Sequence, residues 1–124
     1  MSRRILVVDD EEAIREVVRT GLEVVAGWDV DVATDGAQAV ASCEADPPDA
    51  VLLDVMMPAM DGPATFSRLQ ENPRTQDVPV IFLTAKVQPP ERRRYEELGV
   101  AGVLAKPFDP LTLPDQIADL LGWT

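Results

Sequence analysis

Short apolar runs of β character alternate with segments of helical spacing along the whole of this 124-residue sequence. Ile5-Leu6-Val7-Val8 is apolar without interruption, the pattern of a strand buried on both faces. From Glu11 to Ala26, Ile14, Val17, Val18, Leu22 and Val25 recur at helical spacing, and Gly27 supplies the stop. Asp29 to Thr34 alternates apolar and polar residues, as a strand nearer an edge does. Gly36 to Ala45 reads as a second helix, ended by Pro47-Pro48. Asp49 to Asp54 carries the buried run Ala50-Val51-Leu52-Leu53, and Val55 to Gly62 reads as a loop. Pro63 to Asn72 follows as a third helix, with Pro63 at its first position. Val78 to Leu83 is a fourth strand, and a Pro-containing loop leads to a charged helix over Glu91 to Leu98. Gly102 to Ala105 is a fifth, short strand. Asp109 to Leu121 is a last helix, with Asp109 as its cap and Pro110 at its first position.

Five strands alternating with five helices imply a parallel sheet covered by helices on both faces. No linker, repeat or low-complexity tract interrupts the pattern. The expectation is one domain over residues 1–124, with no separate output domain.

Composition removes several classes of function. The net charge is −11, from 11 basic and 22 acidic residues, and such a surface repels nucleic acid phosphates. There is no histidine, so histidine-based triads and histidine-rich zinc sites are excluded. A metal here must be a hard cation held by oxygen, Mg²⁺ or Ca²⁺. No apolar run approaches the roughly 20 residues that span a bilayer. Met1-Ser2-Arg3-Arg4 resembles the start of a signal peptide, but only a few apolar residues separate it from Asp9-Asp10-Glu11-Glu12. The single cysteine, Cys43, has no internal disulfide partner. These features point to a cytoplasmic location.

In an open parallel sheet, ligands bind at the carboxyl ends of the strands. The residues that close the buried strands are Asp9-Asp10, Asp54, Thr84 and Lys106, followed by Pro107. Strands one, three, four and five are neighbours in a doubly wound order, so three carboxylates, a hydroxyl and an ammonium converge on one edge. Three packed carboxylates repel unless a cation neutralises them. A divalent cation and Lys106 supply that charge, and Mg²⁺ takes a few carboxylates while keeping sites for water or phosphate oxygens. The set suits phosphoryl chemistry, with Asp54 attacking phosphorus in line to form an aspartyl phosphate.

Four segments carry a family resemblance. They are Ile5-Leu6-Val7-Val8-Asp9-Asp10-Glu11, then Val51 through Asp54 to Gly62, then Pro79-Val80-Ile81-Phe82-Leu83-Thr84-Ala85, and Lys106-Pro107-Phe108. Over nearly its full length the chain resembles the response-regulator receiver domain of two-component systems. The resemblance implies a flavodoxin-like (βα)5 fold with strand order 2-1-3-4-5, and a stand-alone, chemotaxis-regulator-like signalling protein. It implies that Asp54 is the phosphoacceptor, Asp10 a direct Mg²⁺ ligand, Asp9 a ligand acting mostly through water, and the Met56 backbone carbonyl a further ligand. Lys106 matches the lysine paired with the phosphoryl group, Thr84 the switch hydroxyl, and Lys106-Pro107 a bond that is cis in the family. Phosphoryl groups come from a histidine kinase, a phosphotransfer protein or a small acyl or amido phosphate. Effectors dock on the face of the fourth helix, fifth strand and fifth helix.

The chain departs from the family pattern at Val103, where a tyrosine or phenylalanine is usual. A β-branched side chain has no ring to swing. Phe82 and Phe108 read as core. Met56 is an apolar residue two after Asp54 and is expected to shield a phosphoryl group and prolong its life, while Lys86 adds a cation two after Thr84. Arg92–Glu96 and Arg93–Glu97 have the spacing of helical ion pairs on a solvated face, and the family's output surface makes a docking patch at Arg92-Arg93-Arg94 the alternative reading. Pro89-Pro90 is expected to stiffen the loop before that helix.

Two other functions compete. A receiver-fold module that works without phosphate gains support from Val103, and the intact acidic set opposes it. A Mg²⁺-dependent phosphohydrolase of the haloacid-dehalogenase type needs a second aspartate two residues after the nucleophile, where this chain has Met56. Its high Ala, Pro and Arg usage fits a bacterial protein.

Overall fold

The computed structural model describes residues 3–85 and 88–123. Five parallel strands form one sheet in the order β2-β1-β3-β4-β5. They are β1 (Arg4–Val8), β2 (Asp29–Ala33), β3 (Ala50–Asp54), β4 (Val80–Thr84) and β5 (Gly102–Ala105). The helices are α1 (Glu12–Thr20), α2 (Gly36–Ala45), α3 (Gly62–Gln70), α4 (Pro89–Glu97) and α5 (Leu113–Leu121). The sheet is the parallel, doubly covered one that the sequence pattern implies, in the flavodoxin-like order that the resemblance implies.

Alternation along the strands divides the core in two. Leu6, Val8, Val51, Leu53, Val80, Phe82 and Val103 face one side, where Ala39, Val40 and Cys43 of α2 and Phe66 and Leu69 of α3 cover them. Ile5, Val7, Ala50, Leu52, Ile81, Leu83 and Leu104 face the other, under Val18 of α1 and Leu113 and Ile117 of α5. Both faces are covered, which is why the central strands read as unbroken apolar runs. β2, at the edge, buries only Val30 and Ala33, one on each face, and leaves Val32 exposed, so its burial does not follow the alternation of its sequence.

Several boundaries differ from the sequence reading. The first helix is α1 followed by a π-helical segment, Gly21–Val25, before Gly27 reverses the chain at φ +71°. The third helix ends at Gln70, where turns take over, so β4 begins at Val80 and includes Thr84. Pro89 and Pro90 lie inside the first turn of α4 rather than in the loop before it. That turn leaves its N–H groups unbonded in any helix, so prolines lose nothing there. The last helix starts at Leu113 with Pro114 in its first turn, and Asp109 does not cap it. Asp109 instead closes a turn, accepting the Leu111 N–H on Oδ1 at 2.9 Å, with Pro110 in that turn. Two prolines could start the helix, and the chain uses the second. Arg92–Glu96 and Arg93–Glu97 form no ion pairs. All four side chains are exposed, where pairing gains little over hydration.

Candidate functional site: an acidic cluster at the carboxyl edge of the sheet

Strand register delivers the site. Val8 pairs with Leu53, so Asp9 emerges beside Asp54. Asp54 pairs with Leu83, and Thr84 pairs with Ala105, which puts Lys106 one step beyond the hydroxyl. The Lys106-Pro107 bond is cis, as the resemblance implies.

Asp9, Asp10 and Asp54 each bring a carboxylate oxygen to within 4.8 Å of the others. Asp9 is fully buried and Asp54 nearly so, at 3 % exposure, while Asp10 is open to solvent. Asp9 is held from several sides. Its Oδ1 accepts the Glu11 N–H at 2.9 Å, and Arg15 donates to its backbone carbonyl at 2.8 Å. Asp54 Oδ1 accepts the Met56 N–H at 3.3 Å.

Among the described residues, Lys106 is the one cation that ion-pairs with these carboxylates. Lys106 Nζ lies 2.8 Å from Asp9 Oδ2 and 3.2 Å from Asp54 Oδ1. The Asp9 contact is close, but it lacks the direction of a hydrogen bond, so buried Oδ2 keeps an unmatched lone pair. Burial, and next the charge of Asp9, push the Asp54 carboxyl above the ordinary aspartate range, against the pull of Lys106. Burial works to lower the Lys106 ammonium, but contact with Asp9 and the charges of both carboxylates outweigh it and hold it above the usual lysine range. Three acids against one ammonium, with a buried carboxylate oxygen that is ion-paired but not hydrogen-bonded, is a donor set that fits a hard divalent cation.

Thr84 and Met56 stand to one side of this cluster. They line a cavity of about 290 Å³ together with Val55, Ala85, Glu91 and Tyr95. Thr84 is buried and the Met56 side chain is 77 % exposed. Val103 is buried on β5, with no ring at that position, and Phe82 is fully buried as expected. Phe108 is half-buried against the opposite core. Lys86 lies outside the described residues.

Sequence reasoning missed three residues. Asp61 caps α3, accepting the Ala64 N–H at 2.9 Å. The Asp61-Gly62-Pro63 run was the available signal. Arg15 supports Asp9, and nothing in its position on α1 announces that. Tyr95, the single tyrosine, reaches from α4 to the sheet.

The response regulator receiver domain model matches residues 5–118. The chain therefore belongs to the response regulator receiver domain family, which is a family of signalling domains in two-component systems. It is 40 % identical over 119 residues to a probable transcriptional regulator, ycf27, of Cyanophora paradoxa, covering 96 % of this chain and 48 % of that protein. The chain thus spans about half the length of the curated relatives it first matches. Among solved structures, chemotaxis protein CheY4 of Vibrio cholerae matches with TM-score 0.89 at 30 % identity, over 97 % of this chain and 99 % of that one. The receiver domain of the sensor histidine kinase PA1611 from Pseudomonas aeruginosa PAO1 matches with TM-score 0.85 at 30 % identity, over 98 % and 99 %. That structure has a magnesium ion coordinated in its active-site cleft. Among the described residues, no helix is long and apolar enough to cross a membrane.

Proposed function

We propose that the chain accepts a phosphoryl group on Asp54 in the presence of Mg²⁺, and that this state controls a protein partner. The observation that carries the reading is the convergence of Asp9, Asp10 and Asp54 with Lys106 Nζ on one edge of the sheet.

In this reading an Asp54 oxygen forms a new bond to phosphorus as the bond to the donor's leaving group breaks. The donor is a histidine kinase, a phosphotransfer protein, or a small acyl phosphate. Asp10, Asp54 and the Met56 carbonyl would hold Mg²⁺, with Asp9 acting mostly through water. Bound there, the ion neutralises charge on the phosphoryl oxygens. Lys106 stays protonated, held above the usual lysine range by its carboxylate neighbours, and pairs with an equatorial oxygen. Thr84 donates its hydroxyl to another. The domain catalyses only its own phosphorylation and dephosphorylation, because Met56 offers no acid or base where a hydrolase needs one. Output passes to an effector through the face of α4, β5 and α5, in the cytoplasm.

Incubation with Mg²⁺ and acetyl phosphate, followed by intact mass, tests this. The expected result is a gain of one phosphoryl group, lost in Asp54→Ala and without Mg²⁺. No gain in a folded, Mg²⁺-binding protein given its kinase would favour a module that works without phosphate. Phosphoryl lifetime tests Met56 separately. The side chain stands in solvent, so shielding requires it to fold over Asp54, and Met56→Asn is expected to shorten the lifetime.

A further inference from the structure

α4 is attached to the sheet by very little. Glu91 and Tyr95, one turn apart, are its only residues that are not fully exposed, and no residue of α4 is buried. Both line the same cavity as Thr84 and Met56. The Tyr95 ring stands edge-on to Phe82, with centroids 5.3 Å apart at 85°. Phe82 precedes Thr84 by two residues on β4, so the two share a face of the strand. Phe82 in turn meets Phe66 of α3 edge-on at 6.1 Å. The aromatic contact that joins α4 to the body therefore sits next to the hydroxyl at the edge of the acidic cluster, with empty volume beside it. β5 contributes only Val103 to the core on this face, and valine cannot fill that volume by turning. An aromatic side chain on a helix has two open χ1 wells, so Tyr95 can leave Phe82 without straining α4.

We infer that Tyr95 is the positioning residue through which the state of Asp54 sets the placement of α4, its ring resting on Phe82 in one state and moving into the cavity beside Thr84 in the other. The inference rests on the phosphoacceptor reading and adds the element that responds. Edge-to-face packing of this kind contributes about 0.5–1.5 kcal/mol beyond burial, so exchanging it for packing in the cavity is a small step either way.

Tyr95 is the chain's only tyrosine, so 3-fluorotyrosine gives one ¹⁹F resonance from the residue in question. That resonance is followed in the full chain as acetyl phosphate and Mg²⁺ are added, with intact mass taken on the same sample. The expected result is a shift that tracks the mass gain and is absent in Asp54→Ala. A second measurement follows amide exchange over α4. Phosphorylation changes it in the wild type and in Tyr95→Phe, which keeps the ring, and leaves it unchanged in Tyr95→Leu, which still gains the phosphoryl mass. A mass gain with no ¹⁹F shift, or a full α4 response in Tyr95→Leu, overturns the inference and leaves the phosphoacceptor reading intact. Absence of any mass gain, with acetyl phosphate and with its histidine kinase alike, overturns both.

Discussion

α3 and α4 lie over the same face of the sheet and follow the two strands that present Asp54 and Thr84, yet the fold secures them very differently. α3 buries Gly62, Thr65, Phe66 and Leu69, and the Asp61 side chain caps it. The Thr65 hydroxyl donates to the Asp61 carbonyl at 2.8 Å, and the Gly62 N–H donates to the Val55 carbonyl at 2.9 Å. α4 has no side-chain cap, opens on two prolines and relies on one half-buried ring. The segment after Asp54 is thus pinned at several points, while the segment after Thr84 is not. A carboxylate cluster keeps its geometry only if its loop cannot shift. An element that reports on that cluster must come from the less stable part of the structure.

Thiol labelling puts the largest expected difference on this contrast. Cys43 on α2 is buried in the same core that α3 covers. Burial is the main cause that pushes its thiol up to about 11, with the Arg4 charge pulling the other way. At pH 8 the native thiol is protonated and inaccessible, so labelling by a disulfide reagent is expected to be slower than in the urea-unfolded chain by on the order of a thousandfold or more. In a Cys43→Ala, Tyr95→Cys protein, the new thiol on α4 is expected to label near the unfolded rate. Equal protection at the two positions would break the comparison. The sign of the pH effect follows from the raised value. The stability contributed by the neutral Cys43 thiol is complete below the unfolded thiol's pKa of about 8.5. It is lost as pH climbs toward about 11, so the urea midpoint should fall over that window.

Truncating one ring in each helix comes next. Phe66→Ala opens the buried core and is expected to cost about 3–5 kcal/mol in urea unfolding. Tyr95→Ala, at a half-exposed ring, should cost well under half of that. Gly62→Ala tests the pin at the start of α3. A Cβ there would meet Val55 Cα at 2.8 Å and the Asp54 carbonyl at 2.9 Å. Backbone must move, at about 1–3 kcal/mol for overpacking. Because the atoms that move belong to Asp54 and its neighbour Val55, the proposed phosphoryl uptake should fall in the same variant. A loss of stability with uptake unchanged would separate the pin from the site.

The two helices also explain what the sequence made legible. Strands with both faces covered leave unbroken apolar runs, so the parallel sheet could be read directly, while its full order came from the family resemblance; in a doubly wound order the convergence of Asp9, Asp10, Asp54 and Lys106 follows. α2 was read to its ends because apolar positions and the following prolines mark it. α4 was harder to bound because it buries almost nothing, and periodicity registers only what is buried. The start of α5 was misread because Asp109-Pro110 and Thr112-Leu113-Pro114 are both plausible helix starts. Choosing between them depends on the tertiary fit of the turn against the π-helical segment, where Gly21 lies so close that a Cβ would meet the Pro110 carbonyl at 2.8 Å. Tyr95 was invisible for a related reason. A single tyrosine in a charged segment has no period, and only the partner ring on β4 gives it meaning.

The smallest effects come from the caps, and they test whether the looseness of α4 belongs to its sequence or to its packing. Asp61→Ala removes the cap of α3 and should cost about 1 kcal/mol. Gln88 occupies the cap position of α4 with extended backbone, φ −80° and ψ 145°, and makes no cap hydrogen bond. Gln88→Ser places an acceptor there without altering the chain's path and should stabilise α4 by up to about 1 kcal/mol. If propensity alone leaves α4 loose, this change slows its amide exchange toward that of α3 and weakens its response to phosphorylation. If the single ring contact is what matters, α4 exchange slows only slightly in the free protein and the response survives. The inference drawn for Tyr95 expects the second result.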